Sequence, residues 1–239
     1  MNKSIIIPCF NEKQTILTVI QNVKNNLIDG DEIIIVDDFS SDGTRDLLNN
    51  LNDPIIKIKY HDRNYGKGKA INTALKENLK EVVIIQDADL EYNPDEYTLL
   101  IKPFLETDAD IVYGSRFLGG QKYNRLHFFW HSIANRILTL ICNLFTNLNM
   151  TDMETGYKAF KKGVIKSIEV EEKSFGVEPE ITIKLAKKKF IFYEVPVSYA
   201  GRSYEEGKKI GIKDAFRAIY CIIYYKFKKI SIKDNFYEK

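Results

Sequence analysis

The sequence predicts an α/β fold: a mostly parallel sheet with helices on both faces, plus a C-terminal amphipathic helical extension. Two observations predict it. Short apolar runs alternate with segments whose apolar residues recur every three or four positions. Such an alternation of strands and amphipathic helices implies a mostly parallel sheet covered on both faces, with right-handed crossovers. Each run also ends in a polar cluster, which places five clusters on the carboxyl edge of the sheet, where open α/β sheets bind ligands.

In chain order, residues 4–7 form the first strand, ended by Pro8. Ile16, Val19, Ile20, Val23 and Leu27 follow at helical spacing. Residues 32–36 are a second buried strand running into Asp37-Asp38, and a Ser/Asp/Gly turn leads to a short helix. Residues 55–60 are the third strand, followed by a Gly-rich turn and a helix over 69–79. Residues 82–86 are the fourth, after which Asn93-Pro94 reads as a helix start, with Asn as cap and Pro in the first turn. Residues 111–114 are the fifth. Beyond them, Ile133, Ile137, Leu140, Ile141 and Leu144 share one face of a helix over 125–148, with Phe128, Phe129 and Trp130 at its start. A helix over 179–188, a strand over 190–196 and a basic, aromatic helix over 208–227 complete the chain. The division expected is a catalytic domain over 1–200 and a basic helix and tail over 201–239.

Composition narrows the function. With 44% hydrophobic and 28% charged residues over 239 positions, the chain has the balance of a folded globular protein. A net charge of +2 gives no electrostatic case for a nucleic-acid partner. Residues 201–239 carry ten Lys/Arg against five Asp/Glu, which fits a solvated tail or a membrane-facing surface. The three cysteines, Cys9, Cys142 and Cys221, lack metal-ligand spacing and fit a reduced, cytoplasmic setting. The opening residues hold too short an apolar run for a signal peptide, and the sequence contains no membrane-spanning stretch.

The motifs carry the chemistry. Asp87-Ala88-Asp89 at a strand end offers two carboxylates to one hard cation, Mg²⁺ or Mn²⁺, with Glu91 as a third candidate ligand; a plain polar turn is the bland alternative. At the second strand end, Asp38 is placed to accept a hydrogen bond from a nucleobase or ribose, while Ser41 or Asp42 caps the next helix. Gly66 and Lys67, within Asn64-Tyr65-Gly66-Lys67-Gly68-Lys69, combine backbone freedom with positive charge near a helix start and suit a diphosphate, though a plain turn explains them equally well. His61 and His127 lack paired ligands, residues 187–189 read as a solvated helix end, and Glu178 and Glu180 as helix-start charge.

Residues 6–12 (IIPCFNE), 36–44 (VDDFSSDGT), 87–91 (DADLE) and 114–116 (GSR) resemble family 2 glycosyltransferases of the GT-A fold. Residues 151–158 (TDMETGYK) resemble the subgroup that includes dolichol-phosphate mannosyltransferases and bacterial polyprenyl-phosphate glycosyltransferases. The resemblance implies that Pro8, Phe10 and Glu12 line the nucleotide pocket, that Asp38 meets the base, and that Asp87, Ala88 and Asp89 lie at the metal-bound diphosphate. It further implies that Arg116 and Arg202 face phosphate groups. Glu91 stands where the subgroup often has Gln, and His131 about where some members carry an Arg for the acceptor phosphate.

The implied donor is a nucleoside diphosphate sugar and the implied acceptor a polyprenyl phosphate at a membrane surface, with inversion at the sugar. A phosphate acceptor is already anionic and needs no base; a glycan hydroxyl, the alternative acceptor, needs a carboxylate, for which Asp152 and Glu154 are the candidates. A structural Asp152 favours the phosphate, an Asp152 open to the cleft the hydroxyl. A non-catalytic nucleotide-binding module is a third reading, opposed by the intact Asp-x-Asp. The helices over 125–148 and 215–227 either meet a membrane with their apolar faces or pack them on the domain.

Overall fold

Ile5, Ile6 and Ile7 stand side by side in β1 (Lys3–Cys9), and because successive strand residues face opposite ways they feed two different cores. β2 (Glu32–Asp37) does the same with Ile33 to Val36, and β4 (Val82–Ile85) with four buried aliphatic residues. Each such residue contributes about 1.5–3 kcal/mol by burial. That is why a continuous aliphatic run is stable only with helices on both faces. One face is covered by α1 (Ile16–Lys24), α2 (Thr44–Asn49) and α4 (Tyr97–Glu106), through Val19, Leu48 and Leu100 among others. The other is covered by α3 (Lys67–Leu75), α5 (Phe129–Thr146), α6 (Lys162–Lys166), α7 (Val177–Lys187) and α8 (Ile212–Phe227). These elements come from a computed structural model that describes residues 1–119, 128–202 and 211–229.

The sheet has seven strands in the order β3-β2-β1-β4-β6-β5-β7, where β3 is Ile56–Tyr60, β5 Ile111–Ser115, β6 Lys158–Lys161 and β7 Phe192–Pro196. All neighbours are parallel except β6, which runs antiparallel between β4 and β5. β6 and the short α6 that follows it are elements the sequence did not announce. β6 is four residues long, and its two lysines hide the apolar signal of Ala159 and Phe160. Its direction matters. Lys158, at its start, pairs with Ile85 at the end of β4 and with Tyr113 near the end of β5. Residues 151–157 are thereby delivered to the ligand edge of the parallel strands.

The Asn93 side chain accepts from the Asp95 N–H and opens a 3₁₀ turn, Pro94–Glu96, ahead of α4, as the Asn-Pro pair predicts. The helix expected over 69–79 begins two residues earlier, at Lys67, and ends at Leu75. The helix starts expected at Arg125 and Lys208, and His127, lie outside the described residues. Lys187 is more than a solvated helix end: its ammonium donates to the carbonyls of Tyr225, Lys226 and Lys228 and caps α8. α8 rests on α5 and α7, adding Ala218, Cys221, Ile222 and Tyr225 to their core.

The apolar stripe on α5 is divided: Ile141 packs on the core, while Ile137, Leu140 and Leu144 point outward. Leu138, Thr139 and Cys142 are the buried face, whereas Trp130, Ile137, Leu140 and Leu144 are exposed. Phe216, Tyr220, Ile223, Tyr224 and Phe227 of α8 are exposed too. Among the described residues no helix is long and apolar enough to cross a membrane.

Candidate active site

At the end of β2 the Asp38 N–H donates to the Cys9 carbonyl, tying the first two strand ends together. The Asp38 carboxylate then accepts from the backbone N–H groups of Tyr65 (2.9 Å) and Gly66 (2.6 Å) and lies 2.6 Å from His61 Nδ1. A carboxylate has about four acceptor positions, so one remains for a ligand; the expected base contact is confined to that one. His61, which looked idle in the sequence, is the brace, with its other nitrogen 2.8 Å from the Thr73 hydroxyl. Asp42 accepts from the Thr44 N–H and hydroxyl at the start of α2, the capping role expected of it.

The Gly-rich turn is held down by packing. Gly66 has φ of 95°, and a Cβ there would collide with the Lys173 carbonyl; one on Gly68 would collide with that of Glu172. Both glycines are therefore required by close backbone approach. Lys67 Nζ lies between Asp87 (2.8 Å) and Glu178 (3.0 Å). Burial works against its charge, but those two carboxylates hold its pKa above the usual lysine range. Glu178, read from sequence as simple helix-start charge, is thus part of the cleft, while Glu180 is structural, accepting from the Glu171 and Glu172 N–H groups and from Lys184.

Asp87 and Asp89 follow β4, with Leu90 at φ 63° making the turn. Burial, then the charges of Asp87 and Glu91, push the Asp89 carboxyl up to about 7. The Arg202 guanidinium sits among three carboxylates: it donates to both Glu12 oxygens (3.1 and 3.2 Å) and to Asp89 Oδ2 (3.1 Å), and its Nε is 3.7 Å from Glu91. Glu91 itself accepts from Tyr199 Oη (2.6 Å) and the Arg202 N–H (2.7 Å). These bonds tie it to the 199–202 segment while it borders the same cleft as Asp87 and Asp89. Among the described residues no three His, Cys, Asp or Glu side chains converge as a ready-made metal cage. The pair Asp87 and Asp89 still fits Mg²⁺ or Mn²⁺. The donors are all oxygen, the crowded negative charge favours a cation, and such ions are commonly held by one or two carboxylates plus substrate phosphate.

Gly156 explains part of the 151–158 motif. A Cβ on it would overlap the Asp87 carboxylate and crowd the Tyr92 ring. Gly156→Ala is therefore expected to push Asp87 off Lys67 and lower turnover by ~10²-fold, the scale of a displacement of about 1 Å at a reacting site. Steady-state rates beside a thermal melt check this, because the loss should exceed any change in stability.

Asp152 is neither a helix cap nor a base open to the cleft. It is fully buried and bidentate to Arg116, whose Nε and Nη2 each lie 2.7 Å from it; the Arg116 N–H adds a third bond at 3.0 Å. Glu194, which no sequence signal marked, accepts from the Thr151 and Asp152 N–H groups and fixes this turn. Arg116 also lies under the Tyr199 ring, its guanidinium carbon 5.0 Å from the centroid.

Glu12, Asp38, Lys67, Asp87, Asp89, Glu91, Arg116, Glu178 and Arg202 border one cleft of about 710 Å³, within the range that holds a small-molecule ligand, whereas His61, Asp42, Glu180, Asp152 and Glu194 are not among its lining residues. Pro8, Phe10, Glu12, Asp38, Gly66, Lys67, Asp87, Ala88, Asp89, Glu91, Arg116 and Arg202, which the motifs singled out in scattered segments, all line it.

A parallel sheet with one antiparallel strand, an Asp-x-Asp turn at its ligand edge and a cleft lined by acids and arginines defines the GT-A type of glycosyltransferase. The sequence profile described as Glycosyl transferase family 2 matches residues 4–169, and the chain belongs to that family. It is 28% identical over 246 residues to the UDP-N-acetylglucosamine--dolichyl-phosphate N-acetylglucosaminyltransferase of Methanococcus voltae, covering 95% of this chain and 96% of that protein. It is 27% identical over 218 residues to the undecaprenyl-phosphate mannosyltransferase of Micrococcus luteus, covering 86% of each. Among solved structures, glucosyl-3-phosphoglycerate synthase from Mycobacterium tuberculosis, in complex with Mn²⁺, UDP and phosphoglyceric acid, shares the fold. Its TM-score is 0.73 at 19% identity, over 95% of this chain and 78% of that one.

Proposed function

We propose that the chain transfers a hexose, with inversion, from a nucleoside diphosphate sugar to the phosphate of a polyprenyl phosphate. The observation that carries the choice of acceptor is the Asp152–Arg116 pair. With both its oxygens spent on the guanidinium, Asp152 is unavailable to deprotonate a hydroxyl, while Arg116 is held charged at the cleft wall. Glu154, the other candidate base, is pushed up to about 8 by burial and by Glu178, and so is mostly protonated near neutrality. A phosphate monoester needs no base, only a cation to receive it and a fixed line of attack. The two polyprenyl-phosphate-using relatives support the same reading.

In this mechanism Pro8, Phe10 and the remaining acceptor position of Asp38 hold the nucleoside, and Asp87 and Asp89 would hold a Mg²⁺ or Mn²⁺ ion. The bound ion supplies charge stabilisation for the departing nucleoside diphosphate. Arg202, now paired with Glu12 and Asp89, is within the same cleft and shifts its charge toward the leaving phosphates. Arg116 faces the acceptor phosphate, which attacks the anomeric carbon from the side opposite the leaving group. Incubation with UDP- and GDP-hexoses, Mn²⁺ or Mg²⁺ and a short polyprenyl phosphate tests this; a lipid-linked sugar phosphate is the expected product, and hydrolysis alone contradicts it.

The acceptor reading needs the cleft to open on lipid. Trp130, His131 and Leu138 of α5 and Ala215 of α8 line it, and the same helices expose Trp130 (76%), Leu144 (76%) and Phe227 (74%), with Lys213 exposed at the start of α8. An exposed aromatic and aliphatic face with basic residues suits the surface of an anionic bilayer. Leu144→Ser with Phe227→Ser is expected to weaken binding to anionic vesicles at least about tenfold, since each lost apolar insertion is worth ~1.5–3 kcal/mol. Flotation reports the loss, and nucleotide-sugar binding should not change.

A further inference from the structure

Two carboxylate oxygens in the cleft are buried without a hydrogen-bond partner, Glu154 Oε1 and Glu178 Oε2. Leaving a buried acceptor unmet costs about 1–3 kcal/mol, so a pair at one site calls for a donor from outside the chain. Both residues line the cleft, and a chain of contacts leads to them from the nucleoside end. Asp38 binds the Gly66 N–H, Lys67 bridges Asp87 and Glu178, and Asp87 lies over Gly156, two residues past Glu154. They therefore stand next to the residues assigned to the diphosphate, within the same cleft, where a sugar carried on that diphosphate can reach them.

The placement of Glu154 is built rather than incidental. Lys158 Nζ donates to the carbonyls on either side of it, Met153 O (2.9 Å) and Thr155 O, while lying 4.4 Å from the Tyr113 ring centroid. A buried lysine spent on holding one loop fixes the side chain that the loop presents. Resting on the donor reading above, we infer that Glu154 and Glu178 are the residues that receive the hydroxyl groups of the donor sugar and set its selectivity.

The chemistry of the occupant follows from the charges. Neither residue offers a phosphate a free cation, since Lys67 is already shared between Asp87 and Glu178, so the acceptor's head is better received at Arg116. A second cation is disfavoured because Lys67 already neutralises Glu178. A polyol is neutral and brings several O–H donors, and a mostly protonated Glu154 can also donate to a ring or hydroxyl oxygen. A site built to hydrogen-bond a hydroxyl also rejects analogues lacking it.

Calorimetric titration of wild type, Glu154→Ala and Glu154→Gln with UDP, GDP and their hexose derivatives, in Mn²⁺, tests the inference. Glu154→Ala is expected to bind the bare nucleotide within about twofold of wild type, which shows that it is folded, and its matching sugar nucleotide ~10-fold more weakly. Glu154→Gln, which keeps a carbonyl acceptor and a donor, should recover most of that loss. Equal weakening for nucleotide and sugar nucleotide, or no weakening of either, overturns the assignment while leaving the donor reading intact. Wild type that binds neither nucleotide overturns the donor reading and this inference with it.

Discussion

Asp89→Ala is expected to lower sugar transfer by at least ~10³-fold while leaving the protein as stable as before, or slightly more so. The loss corresponds to about 4 kcal/mol of transition-state stabilisation, within what a metal-held leaving group is worth. The stability half follows from the sign of the titration. The folded protein raises Asp89 to about 7 through burial and its acidic neighbours, so folding disfavours its charged form. Its removal relieves that repulsion, and Arg202 keeps Glu12 as a partner. Initial rates with Mn²⁺ set beside a thermal melt separate the two effects. A variant that loses activity only because it unfolds contradicts the assignment.

Asp152→Ala is expected to fail in a different way. It leaves the Arg116 guanidinium buried and unpaired, and breaking such a pair costs about 3–5 kcal/mol. Urea denaturation should show that loss directly. A general base would behave otherwise, with turnover falling and stability barely changing. Replacing both partners, Arg116→Met with Asp152→Leu, should recover most of the stability and none of the transfer, because the cation facing the acceptor is gone.

The sequence displayed what repeats or alternates. Ile5–Ile7 and Ile33–Val36 mark buried strands because nothing else tolerates aliphatic side chains on both faces, and the acidic and glycine-bearing clusters mark the strand ends that make the cleft. Long-range pairing stayed hidden. No local pattern ties Asp152 to Arg116, 36 positions away, or Glu91 to Tyr199, 108 away. So the sequence left Asp152 open between a structural group and a base, and showed nothing of the bond that ties Glu91 to Tyr199. β6 was hidden by its own lysines, one of which, Lys158, is buried and supports the loop above it. The apolar stripe on α5 was visible, but periodicity gives a face and not the direction it looks; packing decides that, and here Leu138 and Cys142 won the inner side.

The most direct test of an anionic acceptor compares two molecules that differ only in their head: a short polyprenyl phosphate and the corresponding polyprenol, each offered with the preferred sugar nucleotide and Mn²⁺. Sugar on the phosphate and none on the alcohol is the result expected of a site whose buried carboxylate is bound to Arg116 and whose other acid is protonated. Glycosylation of the alcohol at a comparable rate would contradict it, since that reaction requires a base and neither Asp152 nor Glu154 is placed to serve as one.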